Sequence, residues 1–186
     1  MSLFNDGQGV FFSLNISPDV KISIAGGPLG NETYILQLLR YHWPSEHKID
    51  GKSYPVELQL MFYNSKSYSY VEAIKTPGAM VGLVFFYQLD PDFERTNYIF
   101  SILLGAQNPL SYSLETYRQE SLNEIIGTKP FSVYSYPGSL TTPGCDETVT
   151  WMVSIDINCN CNKIVNDCDF SNNRCQTESC RSLMKS

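Results

Sequence analysis

The chain has little basic charge, little histidine and no apolar run long enough to span a membrane. The shortage of basic charge and the absence of such a run each argue against a class of partner. Its 186 residues carry 13 Lys and Arg against 19 Asp and Glu, for a net charge of −6. This balance argues against nucleic acid and anionic membranes as partners. Because no stretch of about 20 apolar residues is present, no helix is predicted to span a bilayer. The length fits one domain with a substantial core.

Sequence features that bear on the cellular compartment point in two directions. The opening residues Met1 to Asn5 lack the basic start and the apolar run of a signal peptide. Two glycosylation sequons, at Asn15 and Asn31, favour an extracellular setting, although Pro18 directly after the first would hinder its use. We expect a secreted protein, which would need a signal segment that this sequence does not show.

The polar tail over residues 158–186 holds five of the six cysteines. They are Cys159, Cys161, Cys168, Cys175 and Cys180, and Cys145 lies upstream. So polar a segment cannot bury a core of its own, which favours disulfides as its staples. A zinc knuckle is the alternative, but this cysteine spacing matches no standard ligand pattern. We therefore predict one domain over residues 1–157 and a cysteine-rich tail over residues 158–186.

Apolar runs predict a mainly β fold. Strands are expected at Val10–Leu14, Val20–Ile24, Thr33–Trp43, Val56–Tyr63, Ala79–Leu89, Ser132–Tyr136 and Val149–Ile155. The first two are expected to pair as a hairpin. The nearly continuous apolar run of Ala79–Leu89 is typical of a strand buried on both faces. A helix is predicted over Asn97–Ala106, where apolar residues recur at helical spacing.

Two of these strands carry polar residues at alternate positions. Arg40 and His42 share one face of their strand, and Glu57 and Gln59 share one face of the next, because alternate side chains of a strand point the same way. Such a floor would usually hold zinc with three imidazoles and leave a fourth position open to water. Here only His42 is an imidazole, so the pattern has the layout of a metal centre without its ligands.

Several motifs in and around these strands resemble the α-carbonic anhydrase family. They are Ala25 to Leu29, Tyr41 to Trp43, Ser45 to His47, Glu57 to Leu60, Tyr136 to Pro143 and Val149 to Trp151. The matches keep the family order, and the motif Tyr-Pro-Gly-Ser-Leu-Thr-Thr-Pro is long and specific. The resemblance implies a central twisted, mostly antiparallel sheet with a few short helices. It also implies a fold incomplete at both ends, since the family's first segment and last strands have no counterpart here.

The resemblance assigns roles residue by residue. Arg40 and Gln59 stand where the family has its first and third zinc histidines, and His42 stands where it has the second. Glu57 matches the acid that orients the third histidine. Thr141 and Glu46 match the residues that orient zinc-bound hydroxide in the family. Gln8 stands at the position of the proton shuttle. The positions that hold carbon dioxide in the family are matched by Leu38, Met61, Val81 and Leu140.

The replacements resemble those of the catalytically inactive carbonic anhydrase-related proteins. Arginine offers only donors, and at about 4 Å from a dication it would cost roughly 8 kcal/mol at an effective dielectric near 20. We expect no metal here, with the Arg40 guanidinium in the ion's place and paired with Glu57 or another acid. The alternative is a weak zinc-dependent carbonic anhydrase, in which Arg40 swings out and zinc binds His42, Gln59 and a carboxylate.

The expected function is that of a binding or structural module. A sheet that lacks its last strands exposes unpaired edges, which invite association. We therefore expect self-association through such edges or an as yet unidentified protein partner. No groove, repeat or charged patch in the sequence indicates which partner it would be.

Overall fold

The part of the chain that the structure describes is organised around one nine-stranded sheet. The computed structural model describes residues 2–5, 10–13, 21–88, 114–115, 122–126 and 130–159. The strands are β1 (Ser2–Asn5), β2 (Val10–Ser13), β3 (Ser23–Ala25), β4 (Thr33–His42), β5 (Val56–Asn64), β6 (Met80–Gln88), β7 (Leu114–Glu115), β8 (Val133–Gly138) and β9 (Val149–Cys159). Within the described residues the helices are α1 (Tyr70–Ala73) and α2 (Leu122–Ile126), and a 3-10 turn covers Gly27–Leu29.

The order of strands across the sheet is β7-β1-β2-β4-β5-β6-β9-β8, with β3 also paired to β4. Only β6 and β9 pair in parallel among the described strands, and every other pairing is antiparallel. The predicted fold class, a mostly antiparallel sheet with very few helices, is confirmed. None of the helices that the structure describes is long and apolar enough to cross a membrane.

The two central strands are buried on both faces because they contain almost no charge. β6 is buried over all its residues except the last, and β5 is buried over its first seven. We call the face that carries Arg40, His42, Glu57 and Gln59 the site face, and the other the opposite face. On the site face the core contains Met61, Met80, Val84, Phe86, Val149, Trp151 and Val153. On the opposite face it contains Leu39, Tyr41, Leu58, Leu60, Phe62, Val81, Leu83, Phe85 and Tyr87, among others.

One predicted pairing is wrong. β2 and β3 do not form a hairpin with each other, since both pair with β4, β2 toward its C-terminal half and β3 at its start. The long apolar β4 offers the edge that each short strand needs, which the local pattern of the short strands could not show. The predicted helix over Asn97–Ala106 lies outside the described residues. The remaining predicted strands are present as β4, β5, β6, β8 and β9.

A close approach on the site face depends on glycine. Gly82 lies between Met61 of β5 and Trp151 of β9 in the register of the sheet. A Cβ atom at Gly82 would lie 2.2 Å from Cζ3 of Trp151, so the indole occupies the space that a side chain would need. The indole Nε1 donates to the Ser139 carbonyl oxygen at 3.0 Å. Trp151 therefore joins β6 to the segment that follows β8.

Candidate site on one face of the sheet

The register of β4 and β5 brings the predicted polar residues together. Arg40 lies opposite Gln59, and His42 lies opposite Glu57. On the other side of β4, Phe11 of β2 lies opposite Arg40. The four polar residues that were predicted to share one face of the sheet do lie together on the site face, because directly opposite residues of neighbouring strands point to the same side.

Glu57 is the most buried acid of the site, with no exposed surface. Its Oε1 accepts from Nδ1 of His47 at 2.7 Å and from Nε2 of Gln59 at 2.7 Å. Its Oε2 accepts from the His47 backbone N–H at 2.8 Å. Three hydrogen bonds thus hold the carboxylate in place, which is the usual requirement for a buried charge.

His47 is fixed from both sides. Its Nε2 lies 2.8 Å from the Tyr136 hydroxyl, while its ring lies 4.8 Å from that of Trp151, edge to face. The turn that carries it is closed by Ser45, whose hydroxyl donates to the His47 carbonyl oxygen at 2.7 Å and accepts from the Tyr54 N–H at 2.8 Å. His47 therefore has a structural role, with a side chain that is 8% exposed.

The charges of Glu57 and His47 support each other. Burial alone would raise the pKa of Glu57, but the charge and hydrogen bond of His47 outweigh it and lower that pKa to about 2. Burial would likewise lower the pKa of His47, but the Glu57 carboxylate raises it. Burial, and then the charge of Glu57, raise the pKa of Tyr136 to about 12. The Glu57 carboxyl is therefore ionised at neutral pH and the Tyr136 phenol is not, while the carboxylate favours the protonated form of His47.

Gln59 presents its amide nitrogen to two acids. Besides the bond to Glu57, Nε2 donates to Oε2 of Glu46 at 3.2 Å. Both protons of the amide group are thus directed at carboxylate oxygens. The residue at the third ligand position of the family therefore offers hydrogen-bond donors toward its neighbours, where zinc would require a lone pair.

His42 keeps an uncommitted ring nitrogen. Its side chain is buried, and Nε2 has no hydrogen-bond partner among the described residues. The nearest acidic oxygen, Oε2 of Glu46, is 3.5 Å away. Burial is the largest influence on the pKa of His42 and lowers it, against the opposing charges of Glu46 and Glu57. The imidazole is therefore neutral at pH 7.

Arg40 is predicted to pair with Glu57 or with another acid. Glu57 is not its partner, because the donors to that carboxylate are His47 and Gln59, and pairing with another acid stays a prediction. The guanidinium carbon lies 5.4 Å from the centre of the Phe11 ring, a cation–π distance. The three hydrogen bonds to Glu57 come from His47 and Gln59 alone. The reason is the register: Glu57 lies opposite His42, whereas Arg40 lies next to Phe11.

One further assignment needs correction, and the roles of Thr141 and Glu46 stay predictions. Thr141 and Glu46 share no hydrogen bond among the described residues, and Glu46 accepts from Gln59. Val81 belongs to the core of the opposite face, because the alternation of β6 turns Gly82 and not Val81 toward the site.

The other predicted pocket residues lie on the expected side. Leu38 lies opposite Met61 in the register, and both pack in the core of the site face together with Leu140. Gln8 lies outside the described residues, so its predicted role is untested. Three contacts of the site were not assigned from the sequence. The register of β2 places Phe11 opposite Arg40, and the turn after β4 brings His47 to Glu57 and to Tyr136.

The residues present do not fit the zinc that the fold family implies. Within the described part of the chain, no group of three His, Cys, Asp or Glu residues is arranged to hold a metal ion. Of the three ligand positions, only His42 offers an available nitrogen lone pair. Arg40 carries a permanent positive charge, and Gln59 directs its N–H groups to Glu57 and Glu46.

Sequence comparisons agree with this fold and with this arrangement of motifs. A family profile described as eukaryotic-type carbonic anhydrase matches residues 1–177. The chain therefore belongs to the eukaryotic-type carbonic anhydrase family. The match extends beyond the predicted domain boundary at residue 157, and that boundary stays a prediction.

Individual relatives cover most of this chain but only part of their own length. Carbonic anhydrase 7 of Mus musculus is 34% identical over 162 residues, which are 82% of this chain and 59% of that protein. A carbonic anhydrase-like protein of Caenorhabditis elegans is 32% identical over 159 residues, 80% of this chain and 42% of that protein. Carbonic anhydrase 6 of Bos taurus is 29% identical over 163 residues, with coverages of 80% and 50%. The chain thus spans about half the length of these relatives.

The pKa shifts predict a maximum in stability. Glu57 has a folded pKa of about 2 against an ordinary 4.5, so its contribution is complete above pH 4.5 and is lost as the pH falls toward 2. His47 has a folded pKa above its ordinary 6.5, so its contribution is complete below pH 6.5 and is lost as the pH rises through the folded value. His42 acts in the opposite sense, because a folded pKa below 6.5 reduces stability as the pH falls from 6.5 to that value.

Single histidine variants separate these effects in urea unfolding between pH 4 and 9. His47→Gln is expected to remove the loss of stability on the alkaline side of pH 6.5. His42→Gln is expected to remove the loss on the acid side between 6.5 and its folded pKa. If both variants kept the pH profile of the natural chain, the assigned charge states would be wrong.

Proposed function

We propose that this chain is a non-catalytic member of the carbonic anhydrase family and acts as a binding or structural module. The proposal is supported by the chemistry of the three ligand positions. Catalysis in a zinc hydrolase or hydratase depends on a metal-bound water whose pKa is lowered to near neutral. A chain that presents a guanidinium and an amide N–H group at two of three positions cannot close the ligand shell that this requires.

The two hydrogen bonds that the Gln59 amide donates are the strongest support for the proposal. To offer its carbonyl oxygen to a metal, the amide would have to turn over and give up the bonds of 2.7 Å to Glu57 and 3.2 Å to Glu46. Glu57 would then lose one of three donors in a fully buried position, which costs about 1–3 kcal/mol or more for a charged group. The present network of hydrogen bonds therefore opposes zinc binding at this residue.

The second candidate function is that of a weak zinc-dependent carbonic anhydrase. One observation favours it: the buried Nε2 of His42 has no hydrogen-bond partner among the described residues, and the Glu46 carboxylate is 3.5 Å away. An imidazole and a carboxylate are both ordinary zinc ligands. In this alternative His42, Gln59 and a carboxylate, for which Glu46 is the candidate, would hold zinc, and when bound the ion would supply a hydroxide nucleophile.

Metal analysis separates the two candidates. We expect purified protein to contain far less than one zinc per chain, to gain none after incubation with zinc and dialysis, and to show no hydration of carbon dioxide above background. One zinc per chain together with hydration activity would contradict the proposal and favour the weak enzyme. Zinc content is to be measured by elemental analysis on the same samples that are assayed.

A matched control shows whether the ligand positions alone are responsible. The double variant Arg40→His/Gln59→His restores the two imidazoles on the same floor, opposite each other in the register. We expect this variant to bind zinc at about one ion per chain while the natural chain does not. Failure of the double variant would show that the surrounding cavity, and not only the ligand set, opposes the metal.

We further propose an extracellular setting, on two observations. Asn31 is exposed in a turn, where the acceptor of a sequon has to lie. The chain also holds six cysteines, five of them in the polar tail, whose proposed disulfides need an oxidising compartment. The tail lies largely outside the described residues, so the formation of disulfides by its cysteines is a proposal. One relative is named as a mitochondrial carbonic anhydrase, so membership of the family does not define the compartment.

A further inference from the structure

β8 is an edge strand with an exposed surface. It is the last strand in the order of the sheet, paired with β9 on one side. On its other side no strand pairs with it among the described residues. Four of its six residues are exposed, including Tyr134 at 66% and Tyr136 at 36%. A long, exposed edge strand is a ready template for pairing with another chain.

The backbone groups that point away from β9 can be identified from the register. The Ile155 N–H donates to the Ser132 carbonyl oxygen at 3.1 Å, just before the first residue of β8. Hydrogen-bonded and non-hydrogen-bonded pairs alternate along an antiparallel ladder. Val133, Ser135 and Pro137 therefore direct their backbone polar groups outward. Pro137, which has no N–H, sits at a position where β9 needs no donor, as expected for an edge strand.

The side chains of β8 carry no charge that would prevent pairing. Its residues are Val133, Tyr134, Ser135, Tyr136, Pro137 and Gly138. Natural edge strands are commonly protected by charged side chains, and especially by lysine. Here the two tyrosines flank Ser135 symmetrically and project on the site face, since Tyr136 lies opposite Trp151 in the register. The strand is therefore nearly symmetric about Ser135.

From this symmetry we propose that β8 pairs with β8 of a second copy of the chain, antiparallel and with the two-fold axis at Ser135. In that register Ser135 lies opposite Ser135 of the copy and exchanges two N–H to carbonyl hydrogen bonds with it. Val133 N–H donates to the Pro137 carbonyl oxygen of the copy, and the symmetric bond adds a fourth. Tyr134 lies opposite Tyr136 of the copy in both halves, and cross-strand aromatic pairs stabilise a sheet.

A second copy fits this edge better than an unrelated strand would. A two-fold interface requires a self-complementary patch, and the order Tyr-Ser-Tyr about one central residue supplies it. The pairing also accounts for the position of Pro137, whose missing donor removes one bond in each half without displacing the rest. The inference concerns the edge of the sheet and is independent of whether the chain binds zinc.

The oligomeric state of the full chain tests the proposal. We expect analytical ultracentrifugation at 0.15 M salt to show a dimer that dissociates on dilution. In Ser135→Lys two like charges would face each other at the axis, and the dissociation constant is expected to rise by about tenfold or more. In Ser135→Pro the outward N–H is lost while the bonds to β9 remain. Ser65→Lys, the same change at an exposed turn residue, is expected to leave the dimer unchanged.

Hydrogen exchange locates the interface. We expect the amides of Val133 and Ser135 to exchange slowly at high protein concentration and faster on dilution, while amides of the central strands do not change. Circular dichroism verifies that the two Ser135 variants remain folded. A chain that is monomeric at about 100 µM would overturn the proposal. A dimer that Ser135→Lys and Ser65→Lys leave equally intact, or one whose β8 amides ignore dilution, would overturn it too.

Discussion

Replacing Glu57 with alanine is expected to lower the free energy of unfolding by about 3–5 kcal/mol, the usual cost of removing one partner from a buried ion pair. The variant leaves the buried His47 Nδ1 without its acceptor, and it removes the acceptor of a Gln59 hydrogen bond. Urea unfolding at pH 6 is the suitable measurement, because both members of the pair contribute fully there.

Matched variants identify the partner of this acid. Glu46→Ala removes an acid that is 18% exposed and accepts one bond from Gln59, so the loss should be only about 0.5–1.5 kcal/mol. In a double-mutant cycle, Glu57→Gln should couple strongly to His47→Gln and weakly to Arg40→Ala. A strong coupling to Arg40 with none to His47 would show that the guanidinium, after all, is the counterion.

Replacing Trp151 with alanine is expected to lower stability by about 3–5 kcal/mol, because it empties a large volume in a fully buried position. The same ring makes Gly82 intolerant of any side chain, since a Cβ would lie 2.2 Å from Cζ3. Gly82→Ala is therefore expected to cost about 1–3 kcal/mol through overpacking. Urea unfolding at one pH gives both values.

The combination of the two changes is the sharper test. In the Trp151→Ala background the obstructing ring is absent, so Gly82→Ala should cost little or nothing further. The two changes should then be clearly non-additive, as expected for residues in contact. Additive losses in the double variant would mean that Gly82 is required for its backbone and not for the space that the indole fills.

The strands could be predicted from the sequence because their signals are local. β4, β5, β6 and β9 are long and strongly apolar, and their predicted ranges agree with the observed bounds to within a few residues. The partners of the short strands could not be predicted, because β2 and β3 find their register only on β4. Pairing is a property of the assembled sheet, and no local pattern contains it.

The set of polar residues on the site face could be predicted for a similar reason. The hydrogen bonds between them could not be predicted. Alternation alone places Arg40 beside His42 and Gln59 beside Glu57 on one face. Whether Glu57 pairs with Arg40 or His47 depends on a turn of the chain that brings the His47 ring to 2.7 Å from the carboxylate. Likewise, a shift of one residue separates Val81 from Gly82 and moves a side chain to the other face.

Tyr136 belongs both to the margin of the sheet and to its interior. Tyr136 as a residue is 36% exposed on β8. Its hydroxyl lies 2.8 Å from Nε2 of His47, whose other ring nitrogen is hydrogen-bonded to Glu57. A molecule that covers that margin would also desolvate the phenol at the end of this relay. The NMR resonances of the His47 imidazole are therefore expected to shift when another molecule binds at the exposed edge formed by β8.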